Sequence, residues 1–127
     1  MQKKLLLSFA LLPLWLGGCQ ENSIHEEDVK LMARLQCEAR QLKEERFDIA
    51  NKMRFRGDSL MKLNISLTAT QRQQEDSIKQ ALTLRTGEVA VRLMRTMDSL
   101  FDVHYQTAEL RQQFDAAVEK KLGEVCQ

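Results

Sequence analysis

Apolar residues recur along the chain in two long stripes separated by a short polar cluster. The first passes through Val29, Met32, Leu35, Ala39, Leu42, Ile49, Met53 and Leu60, at steps of three, four and seven that line one face of an α-helix. Glu26, Glu27 and Asp28 stand at its start, where carboxylates interact favourably with the positive end of the helix dipole. The pattern predicts a helix from about Glu26 to Lys62. The second stripe passes through Ile78, Leu82, Val89, Leu93, Met97, Leu100, His104, Ala108, Arg111, Phe114, Val118 and Leu122. It predicts one long amphipathic helix, with Gly87 as the place for a kink. The only proline is Pro13, and beyond residue 25 the glycines are Gly57, Gly87 and Gly123, so few positions interrupt either helix.

Between the stripes, residues 64–70 read Asn-Ile-Ser-Leu-Thr-Ala-Thr. Thr68 and Gln71 have the spacing of a capping box, in which each side chain satisfies a backbone N–H of the other residue. This puts a turn near Leu67. Isolated amphipathic helices are marginal until they bury the apolar face, so the two are expected to pack against each other. The fold class is therefore all-α, an antiparallel helical hairpin or small helical bundle with coiled-coil-like packing.

The cysteines conflict with that turn. Cys37 and Cys126 lie opposite each other in a hairpin only if the chain reverses between Leu82 and Gly87, with the first helix continuing past Thr68. A turn near Leu67 puts Cys37 beside the mid-90s and leaves Cys126 about 45 Å further along at 1.5 Å per residue. Cys37 also falls off the first apolar stripe, which favours a bond over a buried thiol. An intramolecular disulfide, an intersubunit disulfide and free thiols all stay open.

Ahead of the helical region, residues 1–18 combine Lys3 and Lys4 with an apolar run from Leu5 to Leu16. The run is shorter than the roughly 20 residues a spanning helix needs and has the layout of a cleaved secretion signal. It ends in Leu16-Gly17-Gly18-Cys19, which resembles the lipobox of bacterial lipoproteins. The resemblance implies cleavage between Gly18 and Cys19, a diacylglycerol on the Cys19 sulfur and an N-acyl chain on its new amino group. More than one chain makes membrane attachment effectively permanent. Gln20 rather than aspartate after the cysteine implies, by the same resemblance, the outer membrane over the inner one. The organisation expected is a signal peptide (1–18), a lipidated tether (19–25) and a helical domain (26–127). Export also places Cys37 and Cys126 in an oxidising compartment.

The chain has 19 basic and 18 acidic residues, and loss of Lys3 and Lys4 leaves 17 against 18. With no basic excess, nucleic acid is not an expected partner. The two histidines, His25 and His104, show no zinc or triad spacing, so no enzymatic role, metal site or dissociable cofactor is expected. His104 reads as a hydrogen-bonded core or boundary residue rather than a ligand or pH sensor, and His25 as a solvated tether residue. Met94 and Met97 read as core filler rather than a soft-metal pair, while Lys52, Arg54, Arg56 and Lys62 read as a solvated face that also suits lipid headgroups or an acidic partner. Leu67-Thr68-Ala69-Thr70-Gln71 is similar to the LTxxQ signature of the Spy/CpxP group of small helical periplasmic proteins. That resemblance implies a chaperone or an envelope-stress or metal-responsive protein. The residues themselves point to a structural or interaction module that binds a protein partner or itself.

Overall fold

The first turn of α1 (Glu26–Lys62) carries Glu26, Glu27 and Asp28, and Lys30 closes it through ion pairs to Glu26 at 3.0 Å and Glu27 at 3.1 Å. At the other end Asn64 adopts φ 52°, a left-handed conformation that asparagine tolerates better than most residues. That geometry lets Asn64 donate to the Met61 carbonyl at 3.1 Å and Ile65 to the Leu60 carbonyl at 2.9 Å. The Leu60 and Met61 carbonyls are thus satisfied as the chain reverses. The computed structural model describes residues 23–126, comprising α1, α2 (Ala69–Val103) and α3 (Ala108–Val125). It is all-α, a helical hairpin whose open end is closed by a third helix.

The start of α2 is the predicted capping box. Gln71 N–H donates to Thr68 Oγ1 at 3.2 Å, and Thr68 N–H donates to Gln71 Oε1 at 2.9 Å. From there α2 runs antiparallel to α1, and the polar side-chain pairs between them mark the register. Arg56 meets Glu75, Glu45 meets Arg85 at 3.1 Å, Glu38 meets Arg92 at 2.7 Å and Asp28 meets His104 at 2.7 Å. Each step down α1 is matched by a near-equal step up α2.

The second stripe is not one helix. It breaks at residues 104–107, and Gly87 lies within regular helix. At the break His104 and Tyr105 both donate their backbone N–H to the Leu100 carbonyl, at 2.8 and 3.0 Å. Thr107 then caps α3 by accepting from Leu110 N–H at 3.2 Å. His104 and Arg111, counted as stripe positions, are exposed, and the residue that enters the core is Tyr105. A polar pair had kept the apolar period running across a helix end.

The break removes the conflict between turn and disulfide. α1 ends at Lys62 and does not continue past Thr68, while α3 doubles back across the N-terminal half of α1 and brings Cys126 to Cys37. The two are joined with Cα atoms 5.5 Å apart, within the usual span of a disulfide. Cys37, off the apolar stripe, is buried by that bond and by α3.

Three helices meet only in this lower part. Val29, Met32 and Ala33 of α1, Leu100 of α2, Tyr105, and Phe114 and Val118 of α3 form the core, with Ile24 and Met97 packed against it. Tyr105 stacks on Phe114 with ring centroids 4.3 Å apart, and Phe101 meets Phe114 edge-on at 6.2 Å. Above Leu42 the molecule is a two-helix stalk, in which Leu82 is the one buried residue among those described.

Candidate functional site

Two places gather unusual side chains: a polar knot beneath the three-helix core, and the flank and apex of the stalk. The knot is built on Asp28, in the first turn of α1. Its Oδ2 accepts from the Tyr105 hydroxyl at 2.9 Å and lies 2.7 Å from His104 Nδ1. The Tyr105 hydroxyl also accepts from the His25 backbone N–H at 3.1 Å. One phenol thus ties the N-terminal segment, α1 and the end of α2 together, and the His25 and His104 rings lie 4.8 Å apart. Burial pushes the Tyr105 phenol up to about 12, with the Asp28 carboxylate acting in the same direction against the donor from His25.

The polar atoms of this knot are satisfied by one another. Tyr105 is 0% exposed, and no buried polar side-chain atom among the described residues is left without a partner. Asp28 and His104 form a carboxylate–imidazole pair, the orienting half of a triad, but the hydroxyl at hand is bonded to the carboxylate rather than the imidazole. Among the described residues no group of three or more His, Cys, Asp or Glu is placed to hold a metal ion.

The stalk has a different character. A groove of about 1080 Å³ runs along its flank, lined by Phe47, Ile49, Met53 and Leu82 among Lys43, Arg46 and Lys79. Phe47 is 67% exposed at its edge. At the apex Met61 is 73% and Leu63 67% exposed, with Ile65 beside them and Phe55 lower on α1.

The residues singled out in the sequence separate as follows. Gly18 and Cys19, with the signal and most of the tether, lie outside the described residues. His104 is hydrogen-bonded at the boundary, one of the two places expected, and His25 is exposed as read, with its ring 4.8 Å from that of His104 and its backbone N–H donated to the Tyr105 hydroxyl. Met97 packs against the core, but Met94 is 54% exposed, so it is not core filler and does not share a site with Met97. Arg56 is paired with Glu75, and Arg54 lies over the Phe55 ring at 5.4 Å. Of the LTxxQ residues, Thr68 and Gln71 are occupied by capping. Asp28 and Tyr105 were not foreseen. Asp28 read as a dipole charge, and Tyr105 is one position away from the histidine that kept the helical period.

The molecule is thus a disulfide-closed three-helix base carrying a two-helix stalk. Compared with known proteins, the chain matches no family model, no curated protein and no solved structure. Neither the lipobox nor the LTxxQ resemblance gains support beyond the residues that carry it.

Proposed function

We propose that this protein is a lipid-anchored lipoprotein of the bacterial envelope, outer membrane favoured, that works without catalysis as an interaction module. The observation that carries this reading is that the bulkiest exposed apolar side chains, Phe47, Phe55, Met61 and Leu63, lie on the stalk, while the base exposes Leu31, Met94, Val103 and Val125. Ile24 packs on the core of the base, so the N-terminal end of the described chain lies opposite the turn. The stalk, by contrast, keeps Phe47, Phe55, Leu84 and the apex residues exposed. α1 has 37 residues and at 1.5 Å per residue spans about 55 Å. A base held at a lipid surface therefore presents its exposed apolar side chains well away from the anchor. No described helix is long and apolar enough to cross a membrane.

Two measurements test this. Mass spectrometry of the N-terminal peptide from membranes should show an acylated Cys19, and Cys19→Ser should move the protein to the soluble fraction; an unmodified, soluble native chain refutes the anchor. A photo-crosslinking residue at Phe47 should trap a discrete protein partner or a second copy, while one at Gln112 on the base should not. Equal labelling at both positions refutes the stalk as the interaction surface.

The second reading is a Spy/CpxP-like chaperone, favoured by the open apolar flank of the stalk. It requires residues 20–127 to suppress aggregation of a denatured client at near-stoichiometric amounts, with Phe47→Ser and Phe55→Ser weakening the effect.

A further inference from the structure

We propose that the apex of the stalk is a lipid-contact surface, built to dock on an anionic bilayer. The inference stands on the apex alone and does not depend on lipid at Cys19.

Charge is segregated along the molecule. From residue 50 to 74 the bases are Lys52, Arg54, Arg56, Lys62 and Arg72 and the only acid is Asp58, a local charge of +4. The remaining described residues, 23–49 and 75–126, carry 12 bases and 16 acids, or −4. A chain that is neutral as a whole is thus strongly dipolar, with its positive end at the turn. Glu75 engages Arg56 across the stalk. Lys52, Arg54, Lys62 and Arg72 form no ion pair among the described residues, whereas lower on the stalk both Arg85 and Arg92 are paired with acids of α1.

The apolar and basic residues are layered. Met61, Leu63 and Ile65 occupy the apex and are exposed. Lys62 and Arg72 stand at the two helix ends beside it, and Arg54 and Lys52 follow about two to three turns further down α1. This is the order of a bilayer surface, with hydrocarbon outermost from the protein's side and phosphates behind. Basic side chains are attracted to anionic headgroups while apolar ones enter the acyl boundary. An acidic protein face accounts for the charge but not for bulky apolar side chains at a convex tip.

Four of the six backbone donors of the 63–68 turn also suit that medium, those of Ser66 and Leu67 being the exceptions. A turn entering a poorly hydrated layer must satisfy its own polar groups. The N–H groups of Leu63, Asn64 and Ile65 are bonded to the carbonyls of Leu60 and Met61, and that of Thr68 to Gln71. The tip can shed water without leaving these donors unpaired.

The test uses residues 20–127, which contain every element of the described fold. The sole tryptophan of the chain, Trp15, lies outside this piece, so Leu63→Trp gives a single reporter at the apex and Val103→Trp one at the base. With phosphatidylcholine vesicles containing phosphatidylglycerol, Leu63→Trp should shift its emission to the blue. Val103→Trp should not, and neither reporter should respond to phosphatidylcholine alone. In flotation, Lys52→Gln, Arg54→Gln and Lys62→Gln together should weaken anionic-vesicle binding about a hundredfold, since each base near such a surface is worth about fivefold. Leu63→Ser with Ile65→Ser should weaken it too, with circular dichroism unchanged in both variants. The proposal is overturned if the apex reporter stays unshifted, if both reporters shift alike, or if neither variant changes binding. It is also overturned if soluble polyglutamate binds the tip while vesicles do not.

Discussion

The base and the stalk are made from the same two helices, yet they are held together differently. In the base a third helix covers the open side of the pair, so Met32, Tyr105, Phe114, Val118 and Leu122 are sealed almost completely. In the stalk, two helices bury only Leu82 between them. Ile49 and Met53 stay half-buried, and the contact is supplemented by the Arg56–Glu75 and Glu45–Arg85 ion pairs. Exposed pairs of this kind contribute about 0 to 1 kcal/mol each. Two helices can align each other, but a third is needed to make an interior.

That contrast can be attacked first at its strongest point. Phe114→Ala should destabilise the protein by about 3 to 5 kcal/mol, the usual cost of emptying a buried aromatic site. Met53→Ala in the stalk should cost far less, and denaturant unfolding of the two variants measures the difference. Next, Cys37→Ser with Cys126→Ser should cost about 2 to 5 kcal/mol. Hydrogen exchange should accelerate mainly in α3 and leave the stalk near its native rates; uniform acceleration would mean that the stalk depends wholly on the clasp.

The knot sharpens the comparison through pH. Tyr105 has its folded pKa raised from 10.0 to about 12, so its neutral form is the one the fold favours. The associated stability is fully present below pH 10 and is lost as pH rises through about 12. Thermal melts in that window should show a decline that Tyr105→Phe flattens. A smaller effect is expected at the other end, where Thr68→Ala removes the cap of α2 and should cost about 1 kcal/mol. Smallest of all, Phe55→Ser should change stability by about 0.5 kcal/mol or less, as for a surface position.

The stalk was the more legible region in the sequence. The acidic start at Glu26, the end at Lys62 and the Thr68–Gln71 box all follow from local chemistry, and local chemistry decides them. The base was less legible because it depends on residues far apart. Nothing next to Tyr105 announces that its hydroxyl will meet Asp28 and its ring Phe114. The break before α3 had two signals. Thr107 stands at a capping position ahead of Glu109, and a turn near Leu67 was incompatible with a Cys37–Cys126 bond unless the chain reversed a second time. Periodicity concealed this because His104 and Arg111 fell in step with their apolar neighbours. The same limit applied to the candidate site, where both histidines were visible but the carboxylate and phenol that organise them were not.

The clasp has one further consequence, for the behaviour of the cut chain. Cys37 and Cys126 are 89 positions apart, so the ring they close contains the 63–68 turn and the 104–107 break, the two places where the described backbone leaves helix between them. A protease that nicks either loop opens the ring without dividing the molecule. On a denaturing gel the cut protein should migrate as a single species until thiol is added, and only then separate into two pieces.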